Sequence, residues 1–549
     1  MSGAVKPSAA VAGSGLVLGV LASSQFLMTL DTSVMNVSIR QVAADVGTTV
    51  TGIQTAITLY TLVMASFMIT GGKIGAIIGR RRAFGIGLVV YAAGSLTTAL
   101  APSLGVLLIG WSVLEGLGAA LIMPAIVALV AANVPQERRT SAYGLIAAAS
   151  AVAVAVGPLI GGAVTTFASW RWVFVAEVVI VAAILPVLRK VHDNPPTART
   201  HFDLVGAVLS IVGLSMTVFG VLRSGDWGWV SAKPDAPTLF GTSPVIWLVI
   251  GGLLVLFAFF EWEAHVVSRG VEPMVRPAML RNRRLAGGLS MFFVQFFLQA
   301  GVFFTIPLFL SVVLELSALQ TGARLLPLSF ALLISALGVP KFFPGARPRL
   351  VVRLGVLSMV AGTLVLIGGI DPGADASIVF IPMLFLGLGM GALASQLGAV
   401  TVSAVPDDQS AEVGGLQNTV TNFGASLGTA LVGAVLISSL TTGLASGIEA
   451  SGSIPPDLKA KASTELAGGV PFVSDTDLKA ALAKADVPAP VADEVVKANS
   501  TARVAALRSS LWVVALFGTG ALFLTGLVPT VPIGRRAEDQ DAPPEVATA

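Results

Sequence analysis

Long apolar runs recur along the whole chain, parted by short breaks of arginine, lysine, glycine or proline, at roughly 14–38, 51–71, 83–101, 105–132, 140–165, 172–188, 203–223, 244–263, 285–311, 321–340, 354–371, 377–405, 413–438 and 507–529. About 20 such residues cross a bilayer as a helix. An all-α polytopic membrane protein with fourteen transmembrane helices is predicted. Charge supports it: 11% of the 549 residues are Asp, Glu, Lys or Arg, against about 25% in a soluble domain. The first run is long and followed by many equivalents, so it reads as a span and not a signal peptide. With no cysteine and three histidines, disulfides, thiol chemistry, a metal site and a bound cofactor are not expected.

Lysine and arginine sort by side. With the N-terminus inside, 21 of the 33 fall on inside segments, and both termini are expected in the cytoplasm of a cell (inner or plasma) membrane protein. Residues 439–506 then form a polar outer loop with helical patches around 475–486 and 489–506, and the acidic, Pro- and Ala-rich tail 530–549 reads as a disordered cytoplasmic segment. Trp227 and Trp229 read as interfacial anchors. The net charge of +3 reflects this sorting and implies no nucleic-acid partner.

A repeat runs at a constant offset of 271: Gly116-Leu117-Gly118 with Gly387-Leu388-Gly389, Val134-Pro135 with Val405-Pro406, Gly144-Leu145 with Gly415-Leu416, Gly157 with Gly428, and Gly162 with Gly433. Spans 4–5 map onto spans 12–13. The expected organisation is an N-terminal six-helix half (1–200), two inserted helices with linkers (201–284) and a C-terminal six-helix half (285–529). Related halves with a midplane site between them are a common transporter plan.

Asp31 stands inside the first run, where a carboxylate is costly and by default faces a protein interior or watery cavity. Glu115 and Glu177 stand in spans 4 and 6. Taken out of water without a cationic partner, a carboxylate favours its protonated form, which suits exchange of a proton for a cationic substrate. The alternatives are a structural polar contact for Asp31, bonds to Ser and Thr for Glu115, and interfacial water for Glu177. Gln25, Asn36, Gln54, Gln295, Gln299, Gln396, Gln417, Asn418 and Asn422 could line a cavity or bond between helices. Phe292, Phe293, Phe296, Phe297, Phe303 and Phe304 crowd span 9, facing lipid or walling a site for an amphipathic ligand, and Glu261 and Glu263 read as solvated. No nucleotide-binding loop, metal-ligand spacing or nucleophile–base pair marks an enzyme.

The stretches Leu30-Asp31-Thr32-Ser33-Val34-Met35-Asn36, Gly72-Lys73-Ile74-Gly75-Ala76-Ile77-Ile78-Gly79-Arg80-Arg81-Arg82 and Gly157-Pro158-Leu159-Ile160-Gly161-Gly162 together resemble motifs of the major facilitator superfamily in its fourteen-span drug:proton antiporter branch. Leu30-Asp31-Thr32-Ser33-Val34-Met35-Asn36-Val37-Ser38-Ile39 resembles the branch's first-span motif. Gly72-Lys73-Ile74-Gly75-Ala76-Ile77-Ile78-Gly79-Arg80-Arg81-Arg82 resembles the loop between spans 2 and 3, with Gly75 and Gly79 read as allowing its tight turn. Gly157-Pro158-Leu159-Ile160-Gly161-Gly162 resembles the fifth-span antiporter motif, and Trp170-Arg171-Trp172-Val173-Phe174 and Gly415-Leu416-Gln417-Asn418 are further landmarks. Two departures stand out. Ala76 replaces the Asp that latches the cytoplasmic side, and Ser112 occupies the place of an Arg expected to pair with the first-span Asp.

The resemblance implies a secondary transporter, most simply a monomer, exporting amphipathic cationic or neutral organic compounds in exchange for protons. Asp31, Glu115, Glu177, Asn36 and Gln25 are its candidate proton- and substrate-binding residues; Gly72, Gly75, Gly79, Arg80, Arg81, Gly157, Pro158, Gly161 and Gly162 form its conformational motifs. The departures keep an uncoupled facilitator or lipid-like flippase open, and the long loop keeps open a non-transporting membrane partner or sensor.

Overall fold

A computed structural model describes residues 9–531, apart from 135, 194–201, 234–235, 344, 406–409, 453, 457–458, 460–469 and 486. The tail beyond 531 and both Pro135 and Pro406 of the repeat lie outside the described residues. The helices are α1 (Ala9–Val37), α2 (Ile39–Asp45), α3 (Val50–Ile78), α4 (Arg80–Ala99), α5 (Leu104–Leu107), a π-helical stretch (Leu108–Glu115), α6 (Gly116–Asn133), α7 (Gln136–Phe167), α8 (Arg171–Val187), α9 (Leu204–Trp227), α10 (Pro244–Ser268), α11 (Arg283–Leu308), α12 (Ala318–Phe342), α13 (Pro348–Gly369), α14 (Phe380–Val402), α15 (Ser410–Ala450), α16 (Asp475–Lys484) and α17 (Ala489–Leu524). With α5, the π stretch and α6 taken as one rod, fourteen long helices match the fourteen apolar runs. Thirteen are long and apolar enough to cross a membrane, and the fourteenth, α4, opens on three arginines.

Helix ends follow local chemistry. Thr49 caps α3, Asp203 caps α9 and Asn282 caps α11, each accepting a backbone N–H of the first turn. Between α3 and α4 the chain turns on Gly79 alone, with φ of 99°, a conformation that glycine adopts without the Cβ penalty. Gly75 lies within α3, not in the turn. Arg80 bridges the corner by donating to the Gly72 carbonyl at 2.8 Å, and Arg81 donates to the Val191 carbonyl at 3.2 Å.

The repeat is visible in the packing. A Cβ on Gly116 would strike Val63 and the Tyr60 carbonyl of α3, and one on Gly387 would strike Leu328 of α12, the second span of each half. Gly118 meets Tyr91 of α4, as Gly389 meets Gly355 and Met359 of α13. Gly157 lies against Ser33 of α1, and Gly428 against Phe297 of α11. Gly162 meets Ala318 of α12 while Gly433 meets Gln54 of α3, so these last glycines let each half approach the other. Small residues permit such contact where no hydrophobic drive separates helix from lipid. Pro158 sits inside a continuous α7, and its carbonyl faces Gly322 of α12.

Three expectations change. The helical patches expected around 475–486 and 489–506 are present, as α16 and the start of α17, but the loop is shorter than 439–506: α15 runs 41 residues to Ala450 and α17 runs 36 from Ala489. At 1.5 Å per residue they span about 60 and 55 Å, well past a core of about 30 Å. No proline interrupts α15, whereas Pro488 and Pro490 open α17. The phenylalanines of span 9 do not face outward; Phe292, Phe297 and Phe304 are buried and the other three are half-buried. Phe297 stacks on Phe517 at 4.0 Å, making α11 a core helix. Glu263 is fully buried and accepts the Met274 N–H at 2.8 Å, while Glu261 is exposed as expected.

Candidate functional site

The site is built where α1, α4, the π stretch and α8 meet. Wider π turns re-aim side chains and recur at functional places; this one carries Trp111, Ser112 and Glu115, all buried. Gly94 of α4 provides the seat, since a Cβ there would come within 2.6 Å of the Glu115 Cγ and 2.7 Å of its backbone nitrogen.

Asp31, Glu115 and Glu177 converge, with one oxygen from each lying within 4.8 Å of the others. Their exposures are 0%, 0% and 1%. Asp31 receives Trp111 Nε1, 2.8 Å from both carboxylate oxygens. Trp111 is in turn stacked on Tyr60, rings parallel within 3° and 5.0 Å apart. Thr98 Oγ1 donates to Glu115 at 3.1 Å, and Ser95 Oγ to Glu177 at 2.9 Å. Glu115 Oε2, Glu177 Oε1 and the hydroxyls of Tyr60 and Tyr91 are buried without a hydrogen-bond partner. Among the described residues, no salt bridge involves the three acids. Their spacing would also admit one cation between the three oxygens, the one such acidic grouping among the described residues.

The other candidates disperse. Asn36 donates to the Thr32 carbonyl of its own helix at 2.8 Å, and Gln25 is half-buried on α1 without a bond to the acids. Gln54 is a tie between halves, donating to the Thr429 carbonyl of α15 at 3.2 Å. Ser112 turns to the Ala56 carbonyl at 2.8 Å, so the Asp31 partner is the preceding residue, Trp111. Arg171 donates to the Ala99 and Ala101 carbonyls at the end of α4, and Arg324 lines an open groove of about 440 Å³ between α12 and α14; neither reaches the acids. Sequence reasoning missed Trp111, Tyr60, Ser95, Thr98 and Tyr91. The available signal was an aromatic donor next to Ser112, at a depth compatible with Asp31.

The profile of the Major Facilitator Superfamily matches residues 21–429. The chain belongs to that superfamily. Like other members it is a membrane transporter and not an enzyme. It is 28% identical to the puromycin resistance protein of Streptomyces alboniger over 426 residues, 76% of this chain and 81% of that one. It is 29% identical to the cephamycin export protein of Amycolatopsis lactamdurans, over 75% and 82% of the two chains. It is 25% identical to the methylenomycin A resistance protein of Bacillus subtilis, over 80% and 91%. Among solved facilitators, a bacterial homologue of the human lysosomal transporter Spinster, inward-facing and unoccupied, superimposes with a TM-score of 0.57 at 16% identity, covering 95% and 98% of the chains. That likeness shows the shared fold. The superfamily assignment rests on the sequence match across most of the chain.

Proposed function

We propose that this facilitator exports amphipathic cationic or neutral organic compounds from the cytoplasm in exchange for protons, with Asp31 as the principal exchanging group and Glu115 and Glu177 beside it. The observation that carries the reading is three carboxylates within 4.8 Å, sealed from water, with no basic partner. Charges so close in a low dielectric repel by several kcal/mol, so the cluster is compatible with bound protons or with an arriving cation, and poorly with neither. Relatives named for antibiotic export or resistance support the direction of transport. The Lys and Arg asymmetry supports both termini in the cytoplasm of a cell membrane protein.

The test is uptake of a lipophilic dye cation into inverted vesicles with an acid interior. Uptake that collapses when the pH gradient is discharged supports exchange. Uptake indifferent to the gradient points instead to an uncoupled facilitator, the reading favoured by Ala76 and Ser112 in the places of two charged family residues.

A further inference from the structure

Ala76 leaves the loop motif without the acid that resembles a latch in other members, and the contacts around Lys73 show what stands in for it. Lys73 is 9% exposed; its Nζ lies 3.2 Å from Glu272 and donates to the Pro273 carbonyl at 3.3 Å. Glu272 opens a short stretch in the segment joining the inserted helix α10 to α11. After Pro273, Met274 and Val275 donate their N–H groups to buried Glu263 of α10, at 2.8 and 3.5 Å. Arg276 then donates its N–H to Glu412 at 2.8 Å and places its guanidinium 3.7 Å from the same carboxylate. Glu412 lies in the first turn of α15. Five consecutive residues are thus held by α3 of the first half, by the inserted pair, and by α15 of the second half.

We propose that residues 272–276 form a releasable strap across the basic, cytoplasmic end of the two halves, replacing the latch that Ala76 cannot make, with α9–α10 as its anchor. The distribution of burial fits release. The Glu263 attachment is inside the protein, whereas Glu272 is 51% and Arg276 44% exposed. Water competes at the two outer contacts and weakens them, so the strap stays on α10 when it parts from either half. Pro273 lies within the stretch and Pro277 follows it, and their fixed φ limits the conformations the chain can take between its partners. The charges alternate in a complementary order, Lys73 with Glu272 and Arg276 with Glu412.

The chain lacks cysteine, so spin labels can be attached at introduced cysteines replacing Arg82 at the start of α4 and Lys341 at the end of α12, in the full-length protein in lipid nanodiscs. Lys73→Glu and Arg276→Glu should each enlarge the long-distance population at least threefold. The paired reversals Lys73→Glu with Glu272→Lys, and Arg276→Glu with Glu412→Arg, should return it to the parent distribution. Where a reversal prevents folding, Lys73→Gln and Arg276→Gln give the same direction. Unchanged distances in the single variants, or double variants that stay open, would overturn the strap. The measurement needs neither substrate nor gradient, so its failure would leave the proton-exchange reading standing.

Discussion

Asp31 is held by a neutral donor where an arginine is the family expectation. Trp111 Nε1 orients the carboxylate without cancelling its charge. Asp31→Asn should therefore abolish gradient-driven uptake in inverted vesicles, by at least tenfold, with normal insertion, because the amide keeps the shape and cannot exchange a proton. Glu115→Gln and Glu177→Gln should each lower it several-fold, since the two are as deeply buried as Asp31 and meet it within one cluster. Normal gradient-dependent uptake by Asp31→Asn would remove Asp31 from the mechanism. Trp111→Phe removes both bonds to the carboxylate; at about 1.5–3 kcal/mol for hydrogen bonds to a charged group, a shift in the pH profile of transport should be readable while the stack on Tyr60 is kept.

At the scale of elements, the contact of α4 with the π stretch depends on a missing side chain. Gly94→Ala would drive a Cβ to within 2.7 Å of the Glu115 backbone nitrogen and the Gly110 carbonyl. Overpacking of this kind costs about 1–3 kcal/mol, so the variant should melt several degrees lower and transport less than Glu115→Gln. A melting point and uptake equal to wild type would mean that α4 shifts freely.

At the opposite end, α16 closes a clasp. Arg40 of α2 donates to the Ser311 carbonyl and pairs with Asp477 at 3.1 Å, and fully buried Arg503 joins the Val312 and Val473 carbonyls to Asp475. The Ser474 hydroxyl and the Arg40 guanidinium hold the Asp477 carboxyl below its ordinary value of 3.8. A lowered folded value contributes stability that is present above the ordinary value and lost as pH falls through the folded one. Protection factors of the α16 amides should therefore hold at pH 5 and above and fall below about pH 4, and Asp477→Asn should lower them at both. Equal protection of parent and variant at pH 6 would dismiss the clasp.

For the whole molecule, the sorting of Lys and Arg by side gives an orientation that labelling checks. Single cysteines at the exposed positions Lys479 and Gly345 should label from opposite faces of sealed vesicles, the first from outside and the second from the cytoplasm. Labelling of both from one side would overturn the fourteen-span topology. An acidic centre should also prefer cations, so a dye cation should compete with transport more strongly than a matched anion; the reverse would mean that the acids do not face the substrate.

Helix number and approximate limits were legible in the sequence because they depend on local quantities: run length and a glycine at the α3–α4 corner. The repeat was legible because close helix approaches demand small residues at equivalent positions, as Gly157 and Gly428 show. Asp31 stood out because a carboxylate in a membrane span is expensive wherever it points. Tertiary structure alone decided the rest. Burial of Glu177 and Glu263, the inward face of the span-9 phenylalanines, the pairing of Trp111 with Asp31 and the bridging of both halves by residues 272–276 all depend on which helices become neighbours. A linear pattern specifies that a side chain is apolar or charged, while packing between helices distant in sequence specifies what it touches, and in a chain where nearly every helix is apolar all round, periodicity carries little of that information.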